Sequence, residues 1–363
     1  YGKPGQRVCK GVFPGQRQSK YRQTQPFISA SHTDKALSIC VWGGKTKELS
    51  FKSYIFHRIM THEKEENPMF EKFVVAVDMS DDSLALMGCV ERLKAYGARK
   101  CLLIQYRTIE EVIDYTRGQS NVPLQKYEEA FSENKKNLID AGFEVETRVL
   151  AGYPASEIEK LAAAEGYTLI VTGARKLTSS GEMYFSTLAN DLMHSVSMPL
   201  LIMRPRMSDK IEDDGKIVID GCQVAEHMLY PTDFSENADV AFSKVLEIAP
   251  GNARKVTLLH VQDSEKISPH LDERVEEFNR IDKARLEGMK KLLQDRGEIE
   301  VDIVVKYGSP AVEIINTVEE NAIPLIVMGS QGRGYVKEFF LGSVSSKVAR
   351  KAPCSVLLIP TKR

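Results

Sequence analysis

Long apolar runs are missing from this chain of 363 residues. No stretch approaches the ~18 uninterrupted apolar residues that a membrane-spanning helix needs. The short run Ala36 to Trp42 contains Ser38 and does not make the apolar core of a secretory leader. An excess of one charge is missing too: 49 Lys and Arg face 50 Asp and Glu, a formal net charge of −1. Nothing global therefore favours a nucleic-acid or membrane partner. Cysteine is sparse, and its six copies (Cys9, Cys40, Cys89, Cys101, Cys222, Cys354) include no C-x-x-C pair and no histidine at metal spacing. The expectation is six unpaired thiols in a reducing cytoplasm. Several catalytic signatures are absent as well: G-x-S-x-G, H-E-x-x-H, a complete Walker loop and the G-x-G-x-x-G dinucleotide turn.

What remains is uneven along the chain. The first 60 residues hold 11 Lys or Arg against two acids, Asp34 and Glu48, so this stretch is basic and the rest acidic. Its opening is rich in Gly, Pro and Gln and lacks a sustained period of 3.6 or 2. Two readings stand for residues 1–67: a basic tail that touches an acidic partner, or a disordered, non-native extension ahead of a start at Met60 or Met69. Gly43-Gly44-Lys45-Thr46 looks like the end of a P-loop, but Ile39 stands where the loop needs its first glycine.

From residue 70 onward, β-branched runs alternate with amphipathic stretches. Strands are expected at Phe73–Asp78, Lys100–Tyr106, Phe143–Leu150, Tyr167–Gly173 and Pro199–Met203. Helices are expected between them, near 80–96, 125–140, 154–165 and 184–196. Interleaving of this kind implies a parallel sheet covered on both faces. The order returns at His227–Thr232, Val256–His260, Ile299–Lys306, Ile323–Met328 and Ser355–Ile359, with a long charged helix over Leu271–Arg296. The punctuation returns in register. Asp78 and Asp233 are 155 apart; Gly152-Tyr153-Pro154-Ala155 precedes Gly308-Ser309-Pro310-Ala311 by 156, as Gly173 precedes Gly329. Constant register argues for duplication. The expected organisation is an extension over 1–67, a first domain over 68–205, a linker over 206–226 and a second domain over 227–363.

The second copy carries Gly329-Ser330-Gln331-Gly332, nine further residues, then Gly342-Ser343-Val344-Ser345. A strand end opens here into a glycine loop and then a helix start. Glycines permit positive φ and close approach of a ligand. Amides around Gly342 and Ser343, with the Ser343 and Ser345 hydroxyls, make a phosphate cradle without a P-loop lysine.

This G-x-x-G-x(9)-G-[S/T] pattern resembles the signature of ATP-binding members of the universal stress protein family. Tyr230-Pro231-Thr232-Asp233-Phe234-Ser235, Leu258-Leu259-His260-Val261 and Pro353–Pro360 are similar to that family's first, second and last strands. The resemblance covers residues 70 to 360. It implies an α/β fold: two tandem doubly wound, Rossmann-like domains, each a five-stranded parallel sheet of order 3-2-1-4-5, with a ligand crevice between strands one and four. It also implies that Asp233 holds ribose hydroxyls, that Val261 offers backbone groups to adenine, and that Pro231 and Thr232 line the base pocket. Gly329, Gly332, Gly342, Ser343 and Ser345 would take ribose and phosphates, and Met328 and Val344 complete the set. The ligand would be ATP or AMP, with Mg2+ or Mn2+ held between phosphate oxygens. Asp233 and Ser235 could equally cap the following helix, and His260 reads as a half-buried strand residue rather than a base.

In the first copy Gly173 is kept, but Lys176 stands in place of Gly332 and Ser186 in place of Gly342, while Thr187 keeps the hydroxyl. Weak or no binding is expected there. The resemblance further implies pairing of the two final strands into an intrachain pseudo-dimer, and association of two chains into a homodimer. Three functions stand: a cytoplasmic nucleotide-binding regulator or sensor of the stress response, a slow ATPase using Gln331, Arg333 or Lys337, or a dimerisation scaffold. The HIGH-like and SGG-x-D-like motifs of adenylating enzymes with a similar fold are absent.

Overall fold

In the second copy, a buried apolar strand, Leu325–Gly329, runs between two others and ends where the glycine loop begins. The computed structural model describes residues 37–42, 45–50, 69–78, 83–107, 109–117, 124–151, 155–177, 183–204, 206–211, 217–221, 226–267, 272–332 and 341–360. The chain divides into two units, Tyr1–Tyr54 and Ile55–Arg363. In the first unit, strands Leu37–Trp42 and Lys45–Ser50 pair antiparallel, with Trp42 opposite Lys45. Lys45 and Thr46 thus begin a strand, whereas a P-loop would place them at a helix start. The remainder of the 1–67 segment lies outside the described residues.

The second unit is built on one ten-stranded sheet. Its strands are β1 (Lys72–Val77), β2 (Lys100–Arg107), β3 (Glu144–Ala151), β4 (Leu169–Gly173), β5 (Leu200–Met203), β6 (His227–Pro231), β7 (Lys255–Asp263), β8 (Glu300–Gly308), β9 (Leu325–Gly329) and β10 (Ser355–Ile359). The order across the sheet is β8-β7-β6-β9-β10-β5-β4-β1-β2-β3. Each half therefore has the order 3-2-1-4-5 and is parallel within itself. The halves meet where β10 pairs antiparallel with β5, Leu357 opposite Leu201.

The helices are α1 (Ser83–Val90), α2 (Ile109–Thr116), α3 (Leu124–Asp140), α4 (Ser156–Ala164), α5 (Thr187–Ser195), α6 (Glu236–Ile248), α7 (Ser264–Ile267), α8 (Val275–Gln294), α9 (Pro310–Glu320) and α10 (Ser343–Lys351). Strand alternation sends Val74, Ala76, Leu229 and Leu259 into one buried cluster with α4, α5, α9 and α10, continuous across the β5–β10 seam. Residues on the other face, such as Phe73, pack on Phe143 at 5.5 Å between ring centroids. Tyr230, likewise, packs on Phe242 of α6 at 5.2 Å. Pro310 opens α9 at its first position, where no amide donor is needed.

Arg204, only 7% exposed, crosses the seam. Its backbone N–H donates to Ser355 Oγ (3.1 Å), its Nη1 to the Cys354 carbonyl (3.0 Å) and its Nη2 to the Ala349 carbonyl near the end of α10. A cation at a helix C-terminus is favourably placed against the helix dipole.

Some elements depart from the sequence reading. α2 interrupts what reads as a polar connection, and the polar linker holds paired strands Arg206–Ile211 and Ile217–Gly221. Each is only five to eight residues long, too short for its apolar residues (Ile109, Val112 and Ile113 in α2; Ile217 to Ile219 in the second linker strand) to stand out from the surrounding polar sequence. The expectation of six unpaired thiols is corrected: Cys89 is disulfide-bonded, while Cys101 and Cys354 are free and buried. Whether a thiol finds a partner is set by the fold, so cysteine spacing carries no trace of it. Burial pushes the Cys354 thiol up to about 12.

Candidate functional site

At the C-terminal ends of β6, β7 and β9 lies a cleft of about 940 Å³. Pockets for small organic ligands span roughly 300–1,000 Å³, so it is roomy. It opens beside β6 and β9, the first and fourth strands of this half, where an open α/β sheet reverses its strand order. Pro231, Thr232 and Asp233 line it from the end of β6, Val261 from β7, and Met328 and Gly329 from the end of β9. Gly332, Gly342, Ser343, Val344 and Ser345 line it from the loop and the start of α10.

The β6 end makes a tight turn. Phe234 sits at φ 58°, a left-handed conformation unusual for a bulky residue. Short-range bonds hold it there. Thr232 Oγ1 accepts from the Phe234 amide and Asp233 Oδ1 from the Ser235 amide, each at 3.0 Å. Ser235 caps α6 by accepting from the Ala238 amide at 3.2 Å. Asp233 thus supports the helix start through one oxygen, and its other oxygen, Oδ2, lies beside Gly332.

Positive φ does not account for the three loop glycines, and crowding accounts for two of them, Gly329 and Gly332. None has positive φ, and at Gly342 an added Cβ would make only ordinary contacts. A Cβ on Gly329 would lie 3.1 Å from the Asn237 and Gln331 carbonyl oxygens, and one on Gly332 would lie 2.7 Å from Asp233 Oδ2. At Gly342 a Cβ would meet Gln331 Cα and Ser330 O at 3.4 Å.

Gly342 is the N-cap of α10, with φ −72° and no side-chain cap bond. Its own amide donates to the Ser330 carbonyl at 2.7 Å, and the Ser346 amide donates to the Gly342 carbonyl at 2.9 Å. Between them, the amides of Ser343, Val344 and Ser345 have no acceptor within the helix. The donor set therefore shifts one residue along from the expected Gly342–Ser343 pair. Ser345 Oγ donates to the Gly329 carbonyl at 2.9 Å, so this hydroxyl ties helix to strand rather than offering its proton to a ligand. Ser343 is exposed at the mouth.

The first half is arranged differently at the matching place. Ser186 caps α5 by accepting from the Ala189 amide, and its hydroxyl also reaches Asp78 Oδ2, each at 3.3 Å. Ser186 is buried. Its side chain occupies the ground that Gly342 leaves bare. Lys176 lies on a short strand, Arg175–Leu177, paired with Met183–Phe185.

Several lining residues carry no sequence signal. His194, from α5 of the first half, reaches the cleft of the second. Gln262, Phe278, Ile281, Asp282 and Arg285 close its far side. Asp282 reads as part of a solvated charged helix, yet it is 8% exposed. His260, also buried, donates from Nδ1 to the Thr232 carbonyl at 2.7 Å, and its ring lies tilted against Phe234 at 4.6 Å between centroids. It supports the turn. Gln331 lines the cleft, whereas Arg333 and Lys337 lie outside the described residues. Among the described residues, no group of three or more His, Cys, Asp or Glu is placed to hold a metal ion, and no helix is long and apolar enough to cross a membrane.

Comparison with known proteins agrees with this architecture. The chain is 36% identical over 154 residues to universal stress protein MJ0577 of Methanocaldococcus jannaschii, which spans 37% of the chain and 94% of that relative. A putative universal stress protein of Staphylococcus haemolyticus is 30% identical over 141 residues, covering 38% and 86% respectively. The crystal structure of a universal stress protein from Archaeoglobus fulgidus superposes over 81% of this chain and 98% of its own, with TM-score 0.55 and 22% identity, a likeness of fold. The universal stress protein family pattern matches residues 69–204 and again 225–360. The chain belongs to the universal stress protein family, with two copies of its domain in tandem.

Proposed function

We propose that this stress protein is an adenine-nucleotide sensor whose second domain binds ATP or AMP. One observation carries the reading. The bare N-terminus of α10 points its Ser343, Val344 and Ser345 amides to a roomy cleft, with no side-chain cap at Gly342. Unpaired amides at a helix start, reinforced by the helix dipole, suit an anionic phosphate. In this reading the phosphates lie on α10 and the Gly329–Gly332 loop, and Asp233 takes the ribose hydroxyls. The base rests against Pro231, Thr232, Val261 and Met328. A divalent ion, Mg2+ or Mn2+, would be held by phosphate oxygens, since no group of three or more His, Cys, Asp or Glu among the described residues is placed to hold one. Ligand binding would change the surface that the second domain offers to a partner.

The domain organisation expected from the sequence fits the same reading. The first domain, with Ser186 in place of a bare cap, acts as an intrachain partner rather than a second site. The two domains form a pseudo-dimer across β5 and β10, two chains associate further, and the protein works in the cytoplasm. The test is native mass spectrometry of the chain purified without added nucleotide. A mass increment matching ATP or AMP supports the reading, and Gly342→Glu should abolish it in a folded protein. Full occupancy in that variant would refute the phosphate placement.

A further inference from the structure

In β7, next to the backbone assigned to the base, Gln262 is only 4% exposed and lines the cleft. Its Nε2 donates to Asp282 Oδ2 at 3.0 Å. That contact decides which end of the carboxamide is which, since a carboxylate can only accept and the flipped amide would set oxygen against oxygen. Asp282 is flanked by Arg285, whose Nη1 lies 3.8 Å from its Oδ1, and by the His260 ring, whose Nε2 lies 3.5 Å from its Oδ2. Arg285 in turn lies over the Phe234 ring at 5.0 Å. The carboxamide is therefore pinned at one end. At the other end its Oε1 is buried without any hydrogen-bond partner.

A buried acceptor left empty in a rigid site is costly unless a ligand supplies the donor. We propose that Gln262 Oε1 accepts a hydrogen bond from the exocyclic amine of a 6-aminopurine, making Gln262 the residue that selects adenine over 6-oxopurines. The inference rests on the nucleotide reading above, which sets the base beside Val261. Adenine carries an N–H donor at its sixth position. Hypoxanthine and guanine carry a carbonyl there, which would face Oε1 with a second acceptor. Because Asp282 blocks the flip, Gln262 cannot turn to offer its NH2 instead. Hydrogen-bonding sites of this kind discriminate strongly because the wrong ligand leaves a buried group unpaired.

Isothermal titration of the full chain, stripped of bound nucleotide, with ATP and with ITP tests this. The wild type should prefer ATP by at least about tenfold. Gln262→Met should bring the two affinities within about threefold, mainly by weakening ATP. An unchanged ratio in the variant overturns the proposal, as does equal affinity of the wild type for both. Should Gln262→Met fail to fold, the wild type alone decides through N6,N6-dimethyl-ATP, which has no N–H to give. Binding as tight as that of ATP overturns the proposal, and a loss of about tenfold or more supports it. If the wild type binds neither ATP nor ITP, the nucleotide reading itself falls, an outcome distinct from binding without discrimination.

Discussion

A Cβ added to Gly332 would sit 2.7 Å from Asp233 Oδ2, closer than carbon and oxygen normally approach. The glycine and the carboxylate therefore form one unit. Gly332→Ala would turn the flexible Asp233 side chain away without disturbing the backbone. The expected result is a loss of about tenfold or more in ATP affinity, roughly 1.4 kcal/mol, with thermal stability little changed. Calorimetric titration checks it, and unaltered affinity would remove Asp233 from the site.

The two caps can be exchanged. At Gly342 a Cβ meets its neighbours at 3.4 Å, an ordinary contact, so Gly342→Ser should fold. It recreates the arrangement of Ser186, whose hydroxyl accepts from the Ala189 amide. Helix capping should raise stability by a few tenths of a kcal/mol, while nucleotide binding weakens because an amide of α10 is now occupied. The unaltered chain should carry about one nucleotide, not two. A mass spectrum with two per chain would show that Ser186 does not close the first domain.

Arg204 joins the halves through buried hydrogen bonds to Ser355, Cys354 and Ala349. Arg204→Met keeps much of the side-chain volume but leaves the Cys354 and Ala349 carbonyls without its donors. Unfolding free energy should fall by about 2–4 kcal/mol. Urea denaturation with an unchanged midpoint would mean that the seam is held by its leucines alone.

Acid should weaken the second domain through His227. Burial, with Lys255 nearby, holds this imidazole below its ordinary value, while Nε2 lies 2.8 Å from Thr257 Oγ1. As pH falls, the unfolded chain takes up the proton first. The contribution is thus complete above the unfolded value of about 6.5 and is lost as pH falls from there through the folded value. His227→Gln should flatten the decline in urea midpoint between about pH 7 and 5. Parallel curves for the two proteins would exclude this histidine as a source of acid sensitivity.

Much of the fold is legible in the sequence because buried parallel strands write themselves as uninterrupted apolar runs. Leu325–Gly329 and Ser355–Ile359 can be read directly, and a repeated register exposes the duplication. The loop that lines the cleft is legible for a similar reason, since glycine is demanded wherever backbones crowd. Side chains recruited from far away leave no such mark. Gln262 looks like one polar residue at a strand end, Asp282 like one charge among many on α8, and His194 belongs to the other half of the chain.

The sequence by itself determined the alternation of strands and helices, the two copies and the glycines that a crowded strand-to-helix junction requires. These follow from local sterics and from the period of burial, which neighbouring residues decide among themselves. Only the tertiary structure decided that β5 and β10 pair antiparallel with Leu357 opposite Leu201, that Ser345 turns its proton to Gly329, and that Gln262 keeps an acceptor free. Each of these depends on which distant groups share a few ångströms of space, and chain order does not encode that distance.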